Sequence, residues 1–269
     1  MEIFIDSADI EEIKQVFQWS IVDGITTNPS LIKKAVDKKE DINLKEYIEQ
    51  ILKIAGNTPV SLEVTETTVE GMVEQGKKLY NSFSNEKNNV CIKIPITPAF
   101  KERDNNHFEG IQAIKELSNQ GISTNCTLIF TPEQALLAAK SGATYVSPFA
   151  GRVDDYIRLI NDLKFQKIDY FPKEGLEKEN IFLNDNGIVS GIDLVEQCVK
   201  ILKNYNLKTK VLAASLRNTR QVREAALVGA DCATIPFSVI KEMLKHPKTF
   251  EGMKKFTADI VPEYVDLIK

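Results

Sequence analysis

Eight short apolar runs, each followed by a stretch of helical periodicity, limit what this chain can fold into more than any other feature. The runs cover residues 2–6, 24–27, 60–64, 90–95, 123–129, 145–149, 210–214 and 232–235. Between them apolar residues recur three and four apart, as in Ile10, Ile13, Val16 and Phe17, or Met72, Val73, Gly76, Leu79 and Tyr80, or Ala135, Leu136, Ala138 and Ala139. Strand then helix, repeated in this way, predicts parallel strands with right-handed crossovers closed into an α/β structure, a (β/α)8 TIM barrel. The 269 residues suit one barrel of this kind. Helix punctuation agrees. Ser7 and Asp9 supply caps after the first strand, Thr131 precedes Pro132 and Glu133, and Asn218 opens a helix after the seventh strand. Gly142 and Gly229 stand where helices should end.

Two stretches depart from a minimal barrel. Residues from about 155 to 190 are too long and too polar for one crossover helix, and 171–175 and 184–187 carry turn chemistry. The expectation is an inserted loop before a helix at 193–202, within a single domain spanning 1–269. From about residue 248 a C-terminal helical segment carries Phe250, Met253, Phe256, Ile260, Val261, Tyr264 and Leu267. That apolar stripe must cover either the barrel's own flank or a neighbouring subunit.

Composition removes several classes of function. A net charge of −4 provides no broad basic field for nucleic acid. No apolar run approaches the ~18 residues of a membrane span. The opening Met1-Glu2-Ile3-Phe4-Ile5-Asp6 has neither a basic region nor a cleavage site, so a cytoplasmic protein is expected. The four cysteines, Cys91, Cys126, Cys198 and Cys232, show no CxxC spacing and read as core packing. His107 and His246, the two histidines, sit in loop and capping contexts, which argues against a histidine-rich zinc site. No metal and no cofactor is expected.

The run 90–95 holds a lysine among isoleucines. Side chains alternate along a strand, so Val90, Ile92 and Ile94 share one face while Cys91, Lys93 and Pro95 share the other. An ammonium removed from water must be paired or neutralised, and a neutral amine attacks carbonyls. The alternative is a gatekeeper lysine on an exposed edge strand. The other strands bear on this choice. The same alternation turns polar residues inward at the C-terminal ends of six more strands, where barrel enzymes carry their chemistry. They are Asp6; Thr26, Thr27 and Asn28; Ser61, Glu63 and Thr65; Asn125 and Thr127; Ser147 and Phe149, followed by Arg152; then Ser215 and Arg217. Singly, Asp6 and Asn28 could be helix caps, Glu63 could face solvent, and the arginines could be surface residues. A closed barrel makes them converge on one mouth. Two carboxylates beside a lysine can move protons around an iminium, and arginines near helix N-termini suit a phosphate. The combined chemistry is Schiff-base formation with a phosphorylated carbonyl sugar.

These residues resemble the transaldolases. The stretches are Ile3–Asp6, Gly24-Ile25-Thr26-Thr27-Asn28-Pro29-Ser30, Ile92-Lys93-Ile94-Pro95, Asn125-Cys126-Thr127-Leu128, Ser147-Pro148-Phe149-Ala150-Gly151-Arg152-Val153-Asp154 and Ala213-Ala214-Ser215-Leu216-Arg217-Asn218. The chain is most similar to the short branch that also contains the fructose-6-phosphate aldolases, although the insertion is not typical of that branch. The resemblance implies a class I aldolase barrel in which Lys93 forms the Schiff base and Asp6 takes the C4 hydroxyl proton. Glu63 and Thr127 would hold a proton-shuttling water. Asn28 and Asn125 would bind the dihydroxyacetone hydroxyls, with Thr26 and Ser147 lining the site. Arg152, Ser215 and Arg217 would bind phosphate. It also implies sugar-phosphate substrates in the non-oxidative pentose phosphate route and a homo-oligomer, a decamer in the short branch. The family's transferases resemble this chain in carrying Glu at 63 and Phe at 149, where its aldolases have Gln and Tyr. Transaldolase is therefore the expected activity, with fructose-6-phosphate aldolase as the alternative and a non-catalytic sugar-phosphate-binding barrel as a remote one.

Overall fold

The computed structural model describes residues 1–37, 43–83 and 89–267. Among these residues eight parallel strands close into a barrel. In order around the ring they are β1 (Glu2–Asp6), β2 (Gly24–Thr26), β3 (Val60–Glu63), β4 (Val90–Pro95), β5 (Thr124–Ile129), β6 (Tyr145–Pro148), β9 (Lys210–Ala213) and β10 (Cys232–Ile235), which returns to β1. The strands β7 (Glu177–Lys178) and β8 (Ile181–Phe182) form an antiparallel hairpin outside the ring. Helices fill the crossovers: α1 (Ile10–Gln18), α2 (Pro29–Val36), α3 (Leu44–Ala55), α4 (Val69–Phe83), α5 (Glu109–Asn119), α6 (Pro132–Lys140), α7 (Ala150–Ile160), α8 (Gly191–Asn204) and α9 (Thr219–Leu227). After β10 come α10 (Phe237–Glu242), α11 (Pro247–Ala258) and α12 (Pro262–Leu267). Among the described residues no helix is long and apolar enough to cross a membrane.

The expected punctuation is present. Asp9 accepts from the amides of Glu11 and Glu12, Thr131 forms a capping box with Gln134, and Asn218 caps α9. His246 caps α11 through Nδ1. The outward strand face buries Ile5, Ile25, Leu62, Ile92 and Val146 against helix residues such as Ile13, Met72, Ile114 and Leu194. The inward face begins with a separate apolar layer of Phe4, Cys91, Tyr145, Leu212 and Cys232. Phe4 meets Tyr145 edge-on at 5.7 Å, and a Cβ at Gly24 would stand 2.7 Å from the Phe4 ring. This layer fills the N-terminal end of the barrel and leaves the C-terminal end for polar groups.

The stretch near 155–190 is not all loop. Its first residues continue α7 to Ile160, because Val153 and Ile157 are buried four apart on one helix face. The following chain folds around the buried Arg158. That guanidinium donates to the carbonyls of Asp169 (3.2 Å) and Tyr170 (3.0 Å) and lies 5.1 and 4.8 Å from the rings of Phe165 and Phe171. Tyr170 then donates to Glu224 on α9, with Arg220 3.9 Å above its ring. The helix expected at 193–202 starts earlier, at Gly191, capped by Ser190. In α11 and α12 no residue is buried, so the barrel's own flank does not cover the C-terminal stripe; Phe256 is 71% exposed and Leu267 83%.

Close backbone approach makes one glycine indispensable here. A Cβ at Gly191 would stand 2.0 Å from the Ala150 carbonyl oxygen, where α7 and α8 begin side by side. Gly191→Ala should destabilise the fold by about 1–3 kcal/mol, read as a lower urea midpoint at constant slope. Gly252→Ala, inside α11 with nothing within 4 Å, should instead stabilise by about 0.5–1 kcal/mol. Equal effects at the two positions would contradict the packing described.

Candidate active site

Strand register decides which polar side chains meet. Asp6, Thr26 and Ser61 are paired across β1, β2 and β3. Glu63, Lys93 and Asn125 are paired across β3, β4 and β5. These side chains share the barrel interior above the apolar layer, as strand alternation requires.

Lys93 Nζ lies 3.1 Å from Glu63 Oε2, and the two side chains are only 7% and 15% exposed. Nζ also donates to the Thr27 carbonyl at 3.1 Å. The buried amine therefore has two acceptors beside it, one carboxylate and one main-chain carbonyl. The exposed edge-strand alternative gives way, because β4 lies inside the closed ring and its register against β3 sets Glu63 directly alongside the buried Lys93. Asp6, at the end of β1, has its carboxyl pushed above the ordinary carboxylate value by desolvation; the Lys93 charge and a hydrogen bond from Thr26 oppose that rise. Thr26 Oγ1 donates to Asp6 Oδ1 at 2.9 Å and stands 2.5 Å from Thr234 Oγ1. A hydroxyl has one proton, so Thr234 donates to Thr26, which donates to Asp6. On the opposite wall Ser147 Oγ donates to Asn125 Oδ1 at 2.7 Å, and Asn125 Nδ2 donates to Ser61 Oγ at 3.2 Å.

A cavity of about 110 Å³ opens between these chains. Its lining contains Asp6, Thr26, Asn28, Lys93, Asn125, Ser147, Phe149, Arg152 and Ser215, joined by Leu212, Ala214 and Thr234. Asn28 is both cap and lining residue: its Oδ1 accepts from the Leu31 amide at 2.9 Å. Glu63 sits behind Lys93 and outside the lining. Thr127, on the same strand face as Asn125, is also outside it; its Oγ1 is buried without a hydrogen-bond partner. The backbone there is irregular. The β5–β6 register shifts between Cys126 and Ile129, and Leu128 has φ +59°.

At the rim Arg152 lies 4.9 Å from the Phe149 ring. Ser215, at φ +60°, accepts from the Gly151 amide at 3.1 Å. A Cβ at Gly151 would fall 2.4 Å from that carbonyl, so only glycine lets the start of α7 meet the chain leaving β9. Arg217 is not in the first cavity. It lines an adjoining one of about 640 Å³ that shares Arg152, and both terminal nitrogens donate to Asp155, at 2.6 Å each. Beneath the rim the buried Asp154 accepts from the Gly191 amide (2.7 Å) and Gln221 Nε2 (2.8 Å), and burial pushes its carboxyl up to about 7. Among the described residues no group of three or more His, Cys, Asp or Glu is placed to hold a metal ion.

A family model for transaldolase/fructose-6-phosphate aldolase matches residues 3–266 of the chain. The chain belongs to the transaldolase/fructose-6-phosphate aldolase family. A probable transaldolase from Thermoplasma acidophilum is 42% identical over 262 residues, covering 96% of this chain and 95% of that protein. One from Petrotoga mobilis is 40% identical over 269 residues, covering 100% of this chain and 98% of that one. The protein is thus an enzyme of the transaldolase type, and the barrel is the one expected of the family. Within this transaldolase-type site the sequence analysis missed Thr234, whose inward position follows from alternation with Cys232 on β10. It also missed Asp155, because nothing in the spacing announces which acid will face Arg217.

The Thr26 hydrogen bond favours the ionised Asp6, so its loss should raise the Asp6 pKa further. In a carbon-13 carboxyl NMR titration the Asp6 midpoint should move to higher pH in Thr26→Val than in the wild type. Lys93→Met should move it in the same direction by removing the opposing cation. Unmoved midpoints in both variants would separate Asp6 from this cluster.

Proposed function

We propose that the protein is a transaldolase that carries a dihydroxyacetone unit from a ketose phosphate to an aldose phosphate on Lys93. The donors are sedoheptulose 7-phosphate or fructose 6-phosphate, and the acceptors glyceraldehyde 3-phosphate or erythrose 4-phosphate. The observation that carries this reading is the inward Lys93, paired with Glu63 and sharing a cavity with Asp6. Glu63, 3.1 Å away, is placed to take the ammonium proton and free the amine. The amine adds to the C2 carbonyl, and loss of water leaves an iminium. Asp6 takes the C4 hydroxyl proton as the C3–C4 bond breaks, and the electron pair of that bond forms an enamine on Lys93. An aldose phosphate leaves. The acceptor aldehyde then adds at the same carbon, its oxygen recovers the proton from Asp6, and hydrolysis of the new iminium frees the product ketose.

Water positioned for imine hydrolysis fits Thr127 Oγ1, which lacks a protein partner, together with Glu63. The hydroxyls of the three-carbon unit fit Asn28 and Asn125, with Thr26 and Ser147 beside them; phosphate fits Arg152, Ser215 and Arg217. Phe149 in the lining favours transfer over release, since a phenyl ring neither donates a proton nor orients water. The exposed C-terminal stripe supports a homo-oligomer. This reading puts the enzyme in the cytoplasm, in the non-oxidative pentose phosphate route.

Incubation with fructose 6-phosphate and borohydride should leave a reduced adduct on Lys93, seen by peptide mass spectrometry. An unmodified Lys93 would remove the covalent mechanism. Turnover of fructose 6-phosphate should depend on added erythrose 4-phosphate; equal rates with and without it would make the enzyme an aldolase. Phe149→Tyr should raise acceptor-independent release of dihydroxyacetone, and no rise would discard the role given to the ring.

A further inference from the structure

The geometry points to Asp155 as a residue that weakens the rim's hold on phosphate, so that one phosphorylated aldehyde can leave and the next can enter. This rests on the reading above that the rim takes phosphate. Arginine has five N–H donors. In Arg217 one Nη1 hydrogen goes to Asp155 Oδ1 (2.6 Å), the other to the Lys167 carbonyl (3.0 Å), and one Nη2 hydrogen to Asp155 Oδ2 (2.6 Å). The Nε edge faces Gly151, 2.8 Å from where a Cβ would stand. An incoming anion therefore finds only part of the fork, and a guanidinium whose charge is already balanced.

The balance is felt at the rim. Arg217 and Asp155 are only 18% and 16% exposed, so solvent screens the pair weakly. Asp155 also lies three residues after Arg152 on α7, on the same side of the helix, and both border the larger cavity. A phosphate drawn to Arg152 thus meets the Asp155 carboxylate next to it. The pairing is held from the far side by the segment after α7, whose Lys167 carbonyl takes the remaining Nη1 hydrogen.

The double displacement explains why a weak hold suits this rim. While Lys93 keeps the three-carbon unit, the first phosphorylated aldehyde must vacate the subsite that the second one needs. Two unopposed arginines would bind each dianion tightly and slow that exchange. Asp155 cancels one of the two charges and leaves Arg152 to steer the ligand in.

Titration calorimetry of the full-length protein with inorganic phosphate reads this hold without turnover. Asp155→Asn should bind phosphate roughly tenfold more tightly than the wild type, and Asp155→Glu, which keeps the charge, should stay near it. Asp155→Ser repeats the charge removal with a different side chain, should either neutral variant fold poorly. KM for glyceraldehyde 3-phosphate should fall with Kd, and kcat should fall as release slows; KM for unphosphorylated glyceraldehyde should move less than about twofold. Phosphate binding that is unchanged or weaker in the neutral variants overturns the proposal and makes Asp155 a support that orients Arg217. If phosphate binds neither the wild type nor any variant, the assignment of the rim as a phosphate site fails as well.

Discussion

The site depends on one register pairing, Glu63 beside Lys93 across two neighbouring parallel strands. A lone ammonium inside a barrel would cost several kcal/mol after relaxation, and removing one partner of such a pair typically costs about 3–5 kcal/mol. The same burial makes the pair useful. In the proposed mechanism, a proton moved over 3.1 Å between side chains shielded from bulk water turns the lysine from a cation into a nucleophile with little solvent to reorganise. Shifting β3 by one residue against β4 would turn Glu63 outward and strand the lysine. The closed ring holds that register from both sides.

Around the pair the molecule divides its labour by height and by stiffness. The lowest inward layer, with Phe4 and Tyr145, is apolar and supports the hydroxyl and carboxyl layer above it. That second layer sits on strands, where Thr234, Thr26 and Asp6 form one chain and Ser147, Asn125 and Ser61 another. The rim is built otherwise. Arg152 and Arg217 come from the chain just beyond strand ends, and their placement relies on Ser215 pressed against Gly151 and on Asp154 tying α7 to α8 and α9. In the proposed mechanism, the groups assigned to the reacting carbons are thus held mainly on strands, while those assigned to the ligand's charged tail stand where the backbone turns.

Much of this was legible because a strand has a period of two and a closed sheet has only one inside. Alternation alone sends Lys93, Glu63, Asp6 and Asn125 inward, and the punctuation around Asp9, Thr131 and Asn218 places the helices between them. What escaped has physical reasons. The Glu63 partner of Lys93 follows from register, which a single strand does not carry. The irregularity at Leu128, a non-glycine residue at φ +59°, has no turn residue to announce it. The last strand hid Thr234 because its run 232–235 looks apolar apart from that one hydroxyl. The continuation of α7 was masked by Asp155 and Arg158, whose charges resemble a surface loop until Phe165 and Phe171 are seen to enclose the arginine.

That enclosed arginine bears on how the segment after α7 is fastened to the barrel. Arg158 has its guanidinium satisfied by two main-chain carbonyls and two aromatic faces, all contributed by the segment that follows α7. Shortening the segment would take away these acceptors and ring faces and open the guanidinium to water, whereas an apolar residue in place of Arg158 would leave the two carbonyls without their donor. Arginine and segment thus hold each other in place like a peg and its socket, and neither can be altered without loosening the other.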